Sequence, residues 1–250
     1  MAVSSTLRPV VLAIALSAAA LPAGAQGSAS GRARVDVRAA PWTSIGKLQA
    51  VAGSLRMTCT AALIGPHTVL SAAHCLFNPR TQHYFLPSSV HFVAGLEGQG
   101  FAAAALAESL LPAPGYDPGA PGQTRGSDWA LITLGGPVTS AGPPLPLAAI
   151  LPAPGAAVMV GGYAQDNPNV LTSDTLCHVT GVVVDGRGRP MLQHDCAATH
   201  GVSGAPLLAK TDRGWIIVGI NVARSKAGTI GIAVMLDQVL KNLNVEVEAR

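Results

Sequence analysis

The stretch HGVSGAP, His200 to Pro206, sets a serine between glycines with a proline behind it. In isolation such a segment reads as a polar turn. A serine hydroxyl becomes a nucleophile only when a base removes its proton and an acid orients that base. Ser203 therefore needs a histidine and an aspartate, and their order along the chain restricts the chemistry. The seven histidines stand at positions 67, 74, 83, 91, 178, 194 and 200. None follows Ser203, which excludes the order serine, acid, histidine. Ala205 also stands where a G-x-S-x-G elbow needs its last glycine. The order aspartate, histidine, serine, for example Asp36, His74 and Ser203, needs an α/β architecture that the chain lacks.

The order histidine, aspartate, serine fits better. His74 lies in SAAHC, Ser71 to Cys75, just past an apolar run that reads as a strand. Its neighbour Cys75 can tie this loop back to Cys59 and hold an imidazole at the strand end. Asp128 opens SDWALITL, at the lip of another apolar run. A carboxylate buried there would fix the tautomer of an imidazole and stabilise its charged form. Asp117, in GYDPG, reads as a turn, and Asp166, Asp174, Asp185 and Asp195 stand in turn or loop contexts.

The elements that must position these residues are short apolar runs broken by Gly, Pro, Asn and Asp. Strands are predicted at 60–64, 68–71, 90–94, 129–134, 157–160, 181–185, 206–209 and 215–222, with 211–214 as a hairpin loop. Helical spacing emerges only at the end, where Leu236, Val239, Leu240 and Leu243 share a face within 234–243. Many short strands without alternating helices predict an all-β sandwich or barrel. Residues 138–151 are rich in proline and small residues and read as a link between two halves, 41–137 and 152–250. No sequence repeat relates the halves.

Residues 1–25 carry the pattern of a secretory signal peptide. Arg8 precedes the apolar run from Val10 to Leu21, and Ala23-Gly24-Ala25 offers a cleavage site. The run is shorter than the ~20 residues a membrane span needs, so no membrane association is expected after cleavage. Residues 26–40, polar and basic, read as a leader or propeptide. The location implied is secreted or periplasmic. Export favours oxidation of the four cysteines, and the simplest of three connectivities pairs Cys59 with Cys75 and Cys177 with Cys196. His178, His194 and His200 lie near the second pair, but no CxxC or HExxH spacing supports a metal, and none is expected. Sixteen scattered basic residues and a net charge of +3 form no basic tract, which disfavours nucleic acid.

Three blocks together carry a resemblance. CTAALIGPHTVLSAAHC resembles the first catalytic block of trypsin-like (chymotrypsin-fold) serine endopeptidases, SDWALITL resembles their aspartate block, and GVSGAP their serine block. The cysteine spacing and HDCAATHGVSGAP are most similar to the bacterial glutamyl endopeptidase branch. The resemblance implies two antiparallel six-stranded β-barrels with the active site between them and a C-terminal helix. It implies that Ser203 attacks the scissile carbonyl, His74 carries the proton, Asp128 orients His74, and the N–H groups of Gly201 and Ser203 form an oxyanion hole. It implies no cofactor, a protein or peptide substrate, and a monomer. Val202 departs from the pattern, because trypsin relatives carry there an aspartate that pairs with a freshly cut N-terminus. Substrate contacts are expected at Ala197, Ala198, His200, Asn221 and Ala223. Ala197 stands where trypsin proper has its acid, and Asn221 where glutamate-selective relatives have a histidine, so a small or apolar residue is expected before the cut. The competing expectation is a protein of the same fold that binds but does not cut.

Overall fold

The computed structural model describes residue 1 and residues 31–138, 141–148, 151–225 and 230–248. The expected signal peptide, after Met1, and the first residues of the expected leader lie outside the described residues. Twelve strands build two closed barrels. The first holds β1 (Ile45–Ala52), β2 (Leu55–Gly65), β3 (Thr68–Ser71), β4 (Val90–Ala94), β5 (Ala103–Pro112) and β6 (Ala130–Leu134). Its antiparallel ring runs β1-β2-β3-β6-β5-β4. The second holds β7 (Ala157–Gly162), β8 (Thr172–Val184), β9 (Pro190–His194), β10 (Pro206–Thr211), β11 (Gly214–Arg224) and β12 (Gly231–Met235). Its ring runs β7-β8-β9-β12-β11-β10. The two rings therefore share one connectivity, which the sequence does not display as a repeat.

Period-two burial shows why these segments are strands. In β4, Val90, Phe92 and Ala94 point inward, while His91 is exposed. The principal apolar core is continuous between the barrels, joining Phe92, Trp129 and Leu70 to Tyr163, Ile217 and Val234. The described part of the expected link lies against both barrels. Leu145 N–H donates to Leu63 O of β2 (2.8 Å), and Ile217 N–H of β11 donates to Pro146 O (2.9 Å).

One sequence expectation gains a structural setting and another changes in detail. In the described part of the expected leader or propeptide, residues 31–40, Arg32 and Val37 are buried and most other residues are exposed. Ala33–Arg34 adds a short strand to β8, Arg32 is buried and pairs with Asp166 at 2.5 Å, and Val37 enters the core. Of its basic residues, Arg32 and Arg34 pair outside the segment, with Asp166 and Glu97, and Arg38 pairs within it, with Asp36. At the other end, the helix α1 begins at Asp237 and runs to Glu248. Val234 and Met235 belong instead to β12, because pairing with β9 and β11 captures them first.

Candidate active site

Strand register brings His74 and Asp128 together. β3 and β6 are antiparallel neighbours, with Ser71 opposite Ala130. The chain leaving β3 and the chain entering β6 thus meet at one end of the first barrel. His74 sits there in a single turn, Ala73–Leu76, and Asp128 closes the turn Arg125–Ser127. Asp128 is buried. Its Oδ2 accepts from His74 Nδ1 at 2.7 Å and its Oδ1 from the His74 backbone N–H at 2.9 Å. A carboxylate only accepts, so Nδ1 carries the proton and Nε2 is left as the basic nitrogen of the neutral ring. Burial is the largest influence on the imidazole and pushes its pKa down. The charge and hydrogen bond of Asp128 together outweigh it and hold the pKa above the usual histidine value. The Cys59–Cys75 disulfide ties the turn to β2, as expected.

The second barrel also grips the Asp128 turn. In the connection from β8 to β9, Asp185 Oδ2 accepts from Gly126 N–H at 3.0 Å, while its Oδ1 takes the N–H groups of Arg187 and Arg189. The Arg189 guanidinium donates to Ser127 Oγ. Sequence context made Asp185 a loop residue, and it is one; what the context does not show is its bond to Gly126, 59 positions earlier in the chain.

Ser203 lies between β9 and β10, in a loop tethered at its start by Cys177–Cys196. Every carbonyl from 200 to 203 has a donor that draws it out of the cleft. His200 O accepts from Gln165 N–H (2.7 Å) and Ser203 O from Thr60 N–H (2.8 Å). Gly201 O accepts from Thr60 Oγ1 (2.9 Å) and Val202 O from Asn221 Nδ2 (3.1 Å). In a trans peptide the N–H points opposite to the C=O. With His200 O turned to Gln165, Gly201 N–H turns the other way. Among the described residues, neither Gly201 N–H nor Ser203 N–H has an acceptor. Gly201 has φ +91°, and a Cβ there would collide with Tyr163 O. Gly204, at φ +79°, would drive a Cβ into Ser71 Oγ and Thr60 O. Both glycines are thus required by close backbone approach.

Val202, where an ion pair would otherwise anchor the loop, is buried in the apolar cluster of the second barrel. Asn221 takes over the polar part of that task. Its side chain donates to Val202 O and accepts from His194 Nε2 at 3.1 Å, and its backbone carbonyl takes Gly204 N–H at 2.8 Å. His194 is fully buried, its Nδ1 has no partner among the described residues, and burial lowers its pKa to about 4.

Two cavities meet at Ser203 and His74. The larger, about 520 Å³, is walled by Thr199, His200 and the β11 residues Asn221, Val222, Ala223 and Arg224. The smaller, about 300 Å³, lies over Arg56 to Cys59, with Gln165, His200 and Gly201 opposite. Of the expected substrate contacts, His200, Asn221 and Ala223 line the larger cavity, although the Asn221 amide is already engaged. Ala197 and Ala198 line neither. Ala198 packs into the apolar cluster, its carbonyl taken by the Arg224 guanidinium, and Ala197 N–H is bound to Asp174 Oδ2 at 2.8 Å. Ser203 Oγ makes no hydrogen bond among the described residues, to His74 Nε2 or any other group. Nε2 instead contacts Cys75 Sγ at 3.7 Å.

Thr60 is the residue that the sequence reading passed over. It is fully buried and bonds to the Ser203 loop from the other barrel. Besides its two bonds to that loop, its Oγ1 accepts from Tyr163 N–H (3.0 Å) and its carbonyl from Ser71 Oγ (2.8 Å). The available signal was a hydroxyl residue directly after Cys59, the half-cystine tied to the histidine turn.

Two six-stranded barrels with a histidine–aspartate pair on one and a serine loop on the other define the class of chymotrypsin-fold proteins. The family model for trypsin matches residues 7–242, and the chain belongs to the trypsin family, that of trypsin-like serine peptidases, which are hydrolases. Among solved structures, a Glu endopeptidase in complex with MPD is similar with a TM-score of 0.71 at 21% identity, covering 88% of this chain and 97% of that one. A thermostable serine protease, AL20, from an extremophilic microorganism is similar with a TM-score of 0.65 at 20% identity, covering 83% and 98%. At these identities the likeness is one of fold. No curated protein matches the chain.

Proposed function

We propose that the chain is an exported serine endopeptidase working through His74, Asp128 and Ser203. The observation that carries this reading is the doubly bonded His74–Asp128 pair, set against the cleft that Ser203 lines. His74 Nε2 takes the Ser203 proton as Oγ attacks the carbonyl. The free N–H groups of Gly201 and Ser203 receive the oxyanion, and such donors are each worth about 10²–10³ in rate. His74 then gives the proton to the departing amine, and water resolves the acyl-enzyme by the same path in reverse. Hydrogen bonds of this kind commonly tighten only in the complex with substrate. Two disulfides support export. The residue before the cut enters the larger cavity, where Val222 and Ala223 favour apolar groups and Thr199 and His200 add a polar edge.

The test is cleavage of an unstructured protein by the purified protein and by its Ser203→Ala variant. The wild type is expected to cleave, with a loss of at least about 10³-fold in the variant. Equal rates for the two proteins would refute the assignment of the nucleophile.

A further inference from the structure

We propose that the smaller cavity is a subsite for an acidic residue on the departing side of the scissile bond, with Arg56 as its specificity residue. The proposal rests on the peptidase reading above. The direction of the bound peptide follows from the proton. The departing amine takes it from His74 Nε2. That nitrogen lies against Cys75 Sγ, on the side of the disulfide, and Cys59 of the same disulfide lines the smaller cavity. Residues after the cut therefore run over Cys59 and Thr58 toward Arg56.

The charge of this cavity is one-sided. Its titratable and charged lining groups are Arg56, His74 and His200, and no carboxylate among the described residues lines it. Asp166, next to the lining residue Gln165, is already paired with Arg32. Arg56 is exposed, and its side chain makes no hydrogen bond or ion pair among the described residues. Arg34, Arg38 and Arg189 are engaged, with Glu97, Asp36 and Ser127. The side chains of Arg125, Arg187 and Arg213 also make no hydrogen bond or ion pair among the described residues, but they do not line this cavity. Arg56 lies just beyond the β1–β2 turn at Gly53, where β2 holds its backbone opposite Val51. A guanidinium presented on a strand offers a planar fork that fits both oxygens of a carboxylate. A lysine after the cut would meet like charge, and a neutral residue would leave the fork to water.

The test uses a set of quenched fluorescent peptides identical up to the cut, with Glu, Gln or Lys at each of the first three positions after it. At low salt, kcat/KM for Glu over Gln is expected to be about five-fold at one of these positions, the scale of a partly exposed ion pair. That ratio should shrink toward one in 0.5 M salt, where screening acts over only a few ångströms (about 3 Å at 1 M). In Arg56→Gln the Glu/Gln ratio should fall to about one. In Arg56→Glu the preference should turn to Lys. Cleavage with a flat ratio in the wild type, or a ratio that survives in Arg56→Gln, overturns the subsite and leaves the peptidase reading standing. Failure to cleave any peptide of the set, or any protein, overturns both.

Discussion

At the scale of single residues, the proposed mechanism makes the protonation of His74 decide when this site works, its neutral form being the base. Burial alone would depress its pKa, and Asp128 reverses that effect. The proton must be lost before Ser203 can be activated, so kcat/KM should rise with pH through a midpoint above the ordinary histidine value of ~6.5. In Asp128→Asn the buried imidazole loses its stabilising charge, so the midpoint should fall, and the rate should drop by about 10⁴-fold. Initial rates from pH 5 to 9 for both proteins check this. A flat profile, or a midpoint that Asp128→Asn leaves in place, would contradict the assignment of the base. His74, Asp128 and Ser203 were legible in the sequence because each stands in its own compact block beside strand-forming residues. Asn221 was legible only as a position. Its part in holding Val202 O depends on a contact nineteen residues back that no local pattern encodes.

At the scale of elements, the nucleophile loop is held by its neighbours rather than by itself. Donors from β2, from the segment after β7 and from β11 take its carbonyls, and the two free N–H groups follow from that. Thr60 matters most, because its hydroxyl alone links Gly201 O to Tyr163 N–H. Thr60→Val keeps the shape and removes both bonds. The expected result is a fall in kcat of about 10- to 100-fold with KM little changed, since the oxyanion donors serve the transition state more than the bound substrate. Thr60→Ser should recover most of the loss. A fall in KM affinity alone, or no rescue by serine, would show that the hydroxyl acts otherwise. The strand pattern predicted β3 and β4 at their observed limits and the hairpin between β10 and β11. It missed β1, β5, β9 and β12. β1 carries Lys47 and Gln49 among its apolar positions, and β5 opens on an alanine-rich run and buries only Ala107 fully. Pairing within a closed ring stabilises both where side-chain character alone says little.

At the scale of the whole molecule, two barrels of one connectivity share a continuous core, and the site lies where they meet. Their common topology left no trace in the sequence, because many combinations of apolar residues fill a barrel of the same size. The packing of residues 31–40 was not legible for a related reason: it depends on Arg32 reaching Asp166, 134 residues away. The fold also carries an acid-sensitive group in its interior. Burial holds His194 neutral, with a pKa of about 4. Between pH ~6.5 and about 4 the unfolded chain binds a proton at this histidine that the folded chain does not, so stability falls as the pH falls through that window, by up to about 3 kcal/mol. Denaturant midpoints at pH 7 and pH 4.5 should converge in His194→Gln relative to wild type. An unchanged pH dependence in the variant would contradict a buried neutral His194.

All these scales converge on one oxygen atom. Ser203 Oγ is nucleophilic only if His74, Asp128 and the two N–H groups act on it together. The most direct measurement is intact and peptide-level mass spectrometry after treatment with a peptidyl phosphonate that reacts only with activated serines. A single adduct on Ser203 is expected, formed more slowly when His74 is protonated and absent in His74→Ala. No adduct on the folded, disulfide-bonded protein, or an adduct at another residue, would contradict it.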